Sequence, residues 1–233
     1  MSAACAVLGA SVFFTPTDFV SLHKFIFLQL FLALAYAGFL LTGLTDWTNF
    51  QASLKIHAYI LFSLFFISFI LAFFSLFLAH CFIALFWLYL VLLCLYMIWR
   101  DKNDDQFGVL GFLFGILSFE IYYLISGNEK FLNLQVFIHM IAILLISYRV
   151  SVVLGKEALK REKGMDEAIF VPNFIYKNIA ICCVCAFLLL NIFFDESMGV
   201  YYAAIACGSA VLAKLKEWHY KELFKHSFVL LYY

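Results

Sequence analysis

Ionisable side chains are rare in the long apolar stretches of this sequence, and four of them could do chemistry: His23, His80, Glu120 and His139. Such groups are costly in apolar surroundings, so they usually face the interior of a helix bundle, where they pair, bind a ligand or meet water. Neutral imidazole is a ligand for haem iron, copper and zinc, and a carboxylate beside it can fix its tautomer or coordinate directly. Glu120 and His139 are the strongest candidates by position.

Each candidate also has a simpler interpretation. His23 and His80 fall at the ends of apolar runs, where an imidazole can lie at an interface without any ligand. Glu120 and His139 lie about 9 and 12 Å inside their runs at a helical rise of ~1.5 Å per residue. They could therefore form a purely structural hydrogen bond, and the sequence leaves the alternatives open.

Other kinds of chemistry are not indicated. No nucleophile stands beside a base, no pair of carboxylates has a useful spacing, and no nucleotide-binding fingerprint occurs, so we expect no enzyme activity. The 15 basic and 15 acidic residues cancel, so the overall charge predicts no nucleic-acid partner.

The elements that would position these residues are membrane-spanning helices. Hydrophobic residues make up 66% of the chain, charged residues 13%, and the mean hydropathy is +1.01. Apolar runs of ~20 residues match the length that a helix needs to cross the bilayer, and they do not alternate as barrel strands would. The sequence predicts an all-α, polytopic helix bundle with about seven spans in contact with the lipid bilayer. The predicted spans are Phe25–Leu44, Leu54–Leu78, Cys81–Trp99, Phe107–Ser126, Phe131–Leu154, Phe174–Phe194 and Met198–Ala213.

This pattern divides the chain into three parts. Residues 1–24 form an apolar N-terminal segment that is part of a helix, residues 25–213 form the bundle, and residues 214–233 form an amphipathic tail. The longest loop, residues 155–173, has mixed charge. When the spans are threaded alternately, twelve of the fifteen Lys and Arg residues fall on the side of this loop. The positive-inside rule therefore predicts a multi-pass protein whose 155–173 loop and C-terminus are cytoplasmic.

Several segments resemble the NnrS family of bacterial membrane proteins. His23-Lys-Phe-Ile-Phe27 is similar to the opening of the family's His-Glu helix, although Lys24 replaces the Glu. Gly38-Phe-Leu-Leu-Thr42 and Trp47-Thr48 follow in the family's order and spacing. The segment from Tyr148 to Leu159 is a looser match to a later family motif, without its Pro.

The resemblance implies an inner-membrane protein associated with nitric oxide responses and with haem or copper. His23 and His139 would then be the metal ligands, and Glu120 and His80 would complete the cofactor-binding set. Family members have further spans at both ends, so the resemblance also implies a shortened member and a partner fragment that carries the missing C-terminal helices. A small-molecule or proton-coupled transporter, and a remnant without independent activity, are the alternatives.

Overall fold

The chain folds into helices throughout the part that the structure, a computed structural model, describes: residues 19–47, 53–101, 107–161, 174–194, 197–214 and 225–226. The predicted N-terminal segment up to residue 18 and most of the predicted tail lie outside these residues. Intrahelical hydrogen bonds satisfy the backbone of each helix, which is why helices suit so apolar a chain in lipid.

We number the helices α1 to α7. Three consecutive segments form α1, and the middle one is π-helical: Phe19–Lys24, Phe25–Phe31 and Leu32–Trp47. The others are α2 (Lys55–Leu71), α3 (Leu76–Asp101), α4 (Phe107–Ser126), α5 (Glu129–Arg161), α6 (Phe174–Phe193) and α7 (Met198–Lys214). The all-α prediction is confirmed for the described residues.

Five of these helices, α1 and α3 to α6, are long and apolar enough to cross a membrane. The chain is therefore a multi-pass membrane protein. The helices α2 and α7 are also apolar but have 17 residues each, so the predicted number of seven spans is not established.

Some helix ends differ from the prediction. The helix α2 ends at Leu71, seven residues before the predicted end at Leu78, and a turn over Ala72, Phe73 and Phe74 leads into α3. The one polar residue of this connection is Ser75, and a single serine without a charged neighbour hardly lowers the local hydropathy, which is why the hydropathy pattern passes over the turn. At the other end of the chain, α5 continues to Arg161 and includes the first residues of the predicted 155–173 loop.

The chain forms two compact units. The first lies within Met1–Val136 and contains α1 to α4 with the first turns of α5. Its core surrounds Trp87, which is fully buried. The second lies within Phe137–Tyr233, and its core is the cluster of Leu144, Ala180, Val184, Cys207 and Ala210.

Candidate functional site

The polar centre of the first unit is Glu120 in α4, whose side chain has no exposed surface. His80, from α3, lies with its Nδ1 2.6 Å from Oε1 of Glu120, and His80 itself is only 3% exposed. The other carboxylate oxygen, Oε2, accepts hydrogen bonds from Gln29 at 2.6 Å and from Gln135 at 3.3 Å. Both oxygens of the buried carboxylate are therefore satisfied.

Two buried glutamines extend this network to four helices. Gln29 Nε2 also donates to Oε1 of Gln135 over 2.5 Å, and Gln29 Oε1 accepts from the indole of Trp87 at 3.0 Å. Gln135 Nε2 donates to the backbone carbonyl of Ile116 at 3.2 Å. Because buried polar atoms without partners are costly, this arrangement fixes α1, α3, α4 and α5 in one register.

The π-helical turns of α1 carry Gln29 to the centre. Buried residues recur along α1 at intervals of three and four: Leu22, Phe25, Ile26, Gln29, Leu30, Ala33, Tyr36, Ala37 and Leu40. This periodicity gives α1 one face toward the core, and Gln29 is the polar member of that face. Short π-helical stretches inside α-helices are frequently found at functional sites.

Aromatic rings enclose His80 on two sides. The ring centroids of Phe25 and Tyr123 each lie 4.6 Å from that of the imidazole, with interplanar angles of 67° and 57°. Such contacts restrict rotation of the imidazole about χ2. Together with the hydrogen bond to Glu120, they hold its Nδ1 toward the carboxylate.

A small cavity of about 20 Å³ adjoins the network. His80, Gln29 and Tyr123 line it, together with Lys24 and Glu129. Lys24 Nζ forms an ion pair with Oε2 of Glu129 at 2.9 Å. A cavity of this size has room for about one water molecule.

This arrangement can hold and exchange a proton. Either His80 is neutral and donates its Nδ1 hydrogen to the carboxylate, or a second proton is bound and the pair is an imidazolium and a carboxylate. The hydrogen bond to Glu120 also sets the imidazole tautomer and leaves Nε2 as the nitrogen for any other partner.

The structure brings together two of the four predicted residues, His80 and Glu120. His23 is instead exposed, and its ring contacts are with Phe19 and Phe27 of its own helix, at centroid distances of 6.0 and 4.5 Å. His139 is buried in α5, in the part of that helix that belongs to the second unit. Its pairing with Glu120 and the metal-ligand roles of His23 and His139 stay predictions.

Gln29, Gln135 and Trp87 are members of the site that were not predicted from the sequence. The two glutamines could have been noticed in the sequence, since each is a polar residue inside an apolar run. A buried amide, like a buried carboxylate, needs hydrogen-bond partners. Among the described residues, no group of three or more His, Cys, Asp or Glu side chains is placed to hold a metal ion.

Comparison with known proteins agrees with the resemblance carried by the segments around His23 and Gly38. No curated protein and no solved structure matches the chain. The family model described as "NnrS protein" matches residues 1–233, which is the entire sequence. The chain therefore belongs to the NnrS family.

Proposed function

We propose that this protein acts in the bacterial response to nitric oxide as a proton-handling, NnrS-like protein of the inner membrane, with the His80–Glu120 pair as its functional centre. The observation that carries the proposal is the 2.6 Å hydrogen bond between these two buried side chains. Amides also join helices by hydrogen bonds, as Gln29 and Gln135 do with each other. An ionisable pair adds a capacity that such amides lack, because it can gain and lose a proton.

The family resemblance adds haem or copper to the proposal. The described surroundings of His80 do not fit a haem, because a cavity of about 20 Å³ is far below the ~300 Å³ or more that a cofactor pocket needs. They also do not fit a closed copper site, since His80 is the one imidazole among the residues that line this cavity. The proposed chemistry at His80 therefore involves neither group.

A genetic complementation experiment tests the proposal. Cells that lack the gene are exposed to a nitric oxide donor, and growth is measured after they receive wild-type protein, Glu120→Gln or Glu157→Gln. The first substitution keeps the size and shape of Glu120 but removes its titratable proton and replaces one acceptor oxygen by a donor amide. The second alters an exposed carboxylate of α5, which forms an ion pair with Arg161 at 2.9 Å.

We expect the wild-type protein and Glu157→Gln to restore growth, and Glu120→Gln to fail at an equal amount in the membrane. Restored growth with Glu120→Gln would show that the function does not depend on the His80–Glu120 pair. If the wild-type protein itself gave no protection, the link to nitric oxide would be wrong.

A second candidate function is proton-coupled transport, which the cavity beside His80 favours. An ionisable pair inside the bundle with a water-sized space next to it is the kind of arrangement that proton relays use. In this case, vesicles that contain the wild-type protein should take up protons faster than vesicles with Glu120→Gln when a potassium gradient drives the flux. Equal rates would eliminate this candidate.

A further inference from the structure

The cavity beside His80 lies between the buried network and an ion pair that reaches solvent. At its outer end, the Lys24 side chain is 31% exposed and that of Glu129 is 54% exposed. At its inner end stand His80 and Gln29, which are almost completely buried. The same small space thus adjoins both accessible charges and the His80–Glu120 pair.

The rest of the network offers no comparable route for a proton. Besides His80, the side chains that contact the carboxylate are Gln29 and Gln135, and Trp87 bonds to Gln29 behind it. None of these three side chains gains or loses a proton near neutral pH. The imidazole is covered on one side by Phe25, which is also non-titratable. The ring of Tyr123 covers another side, and Tyr123 is also one of the residues that line the cavity.

We infer that this cavity binds one water molecule, which carries protons between the Lys24–Glu129 ion pair at the membrane face and His80. The inference rests on the proposed proton-handling function and identifies the cavity as the place where a proton reaches His80. A lone buried water normally makes about three hydrogen bonds. The polar groups along the cavity wall, those of Ser21, Lys24, His80, Tyr123 and Glu129, can supply them.

The proton transfer balances without any further reactant. A proton from bulk water reaches the bound water, which passes one of its protons to Nε2 of His80 and regains its neutral form. The imidazole then carries protons on both nitrogens and can hand the Nδ1 proton to Oε1 of Glu120. The net result is one proton taken up by the pair. The ionisable groups around His80 are Glu120, Tyr123, Lys24 and Glu129, and each belongs either to the pair or to the cavity wall.

Blocking the cavity tests this inference. The full-length protein in lipid vesicles is subjected to a pH jump, and infrared difference spectra follow the bands that disappear in Glu120→Gln and His80→Phe. Ser21→Ile puts a larger side chain into the cavity wall, whereas Val20→Ile adds bulk at the neighbouring position, where Val20 is 55% exposed. Leu28→Phe narrows the cavity from another part of its wall and replaces Ser21→Ile if that variant does not fold.

We expect the bands of the pair to respond at least tenfold more slowly in Ser21→Ile and Leu28→Phe, and within twofold of the wild-type rate in Val20→Ile. Unchanged rates in the folded cavity variants would overturn the entry route, while the proposed function would stand. If no band were lost in Glu120→Gln or His80→Phe, the pair would not titrate, and both proposals would fall.

Discussion

Gln29 donates from Nε2 to Oε2 of Glu120 over 2.6 Å, and these two residues are 91 positions apart in the sequence. The contact joins the π-helical turns of α1 to the second half of α4 and uses the carboxylate oxygen that His80 does not contact. It explains how a carboxylate can be accommodated deep in an apolar bundle, because amide donors compensate for the water that Glu120 loses on burial.

Replacing Gln29 by Leu should destabilise the protein. The substitution leaves the Trp87 indole without its acceptor and removes one donor from Glu120, and we expect a loss of about 1–2 kcal/mol. Reversible unfolding in mixed micelles measures the change. The control is Phe27→Leu, an apolar substitution at an exposed position of the same helix. Equal stability of the two variants would show that the network does not hold the helices together.

The π-helical stretch should set the positions of the residues that precede it. Deleting Phe27 would turn the first turns of α1 by about 100° relative to Leu32–Trp47, since one residue of an α-helix corresponds to that angle. Lys24 would then no longer form its ion pair with Glu129. A short bismaleimide should link cysteines placed at positions 24 and 129 in the full-length chain and should fail to link them after the deletion. Efficient linking in both proteins would contradict the assigned role of the π turns.

Gly127 should be required at the turn between α4 and α5. Its φ of 66° lies in the left-handed region, so Gly127→Ala should cost about 1–2 kcal/mol even though an added Cβ would meet no atom within 4 Å. Gly111→Ala is the matched control, because this position in α4 is exposed and equally open. Alanine there should leave stability unchanged or raise it by up to about 1 kcal/mol. The measurement is again unfolding in micelles.

His139 is the buried imidazole predicted to bind the family's haem or copper. If the family's haem or copper is held near this buried imidazole, His139→Ala should lower the haem or copper content of the purified protein by tenfold or more. His226→Ala should leave the content unchanged. Absorption in the Soret region and elemental analysis give the two readouts. Equal content in both variants would exclude His139 as a ligand.

The orientation of the chain can be tested by cysteine labelling. With the native cysteines replaced, Lys160→Cys near the end of α5 should resist an impermeant thiol reagent applied to intact cells, because the positive-inside rule places this end in the cytoplasm. Asn128→Cys, in the turn before α5, should react rapidly. The reverse pattern would invert the whole predicted topology.

The sequence by itself determined the class of the protein, because its apolar runs of ~20 residues leave few alternatives to membrane-spanning helices. It also identified Glu120 as a candidate, since a carboxylate is costly in such an apolar run unless it pairs, binds a ligand or meets water. Periodicity and hydropathy are local properties, however. They could not locate the turn after Leu71, where the boundary carries a single serine, Ser75, and no charged residue.

Only the tertiary structure decided which side chains meet. The sequence predicted His139 as the partner of Glu120 from their similar depth and placed His80 at the end of its run. Depth does not specify rotation about the helix axes, and the structure places His80 against the carboxylate. The π-helical turns add a further rotation that the sequence pattern of α1 did not predict. His23 lies off the three-and-four spacing of buried residues in α1 and is exposed, whereas Gln29 lies on it and faces the core. The network exists because four helices pack in one register, and that register depends on contacts between residues that are far apart in the chain.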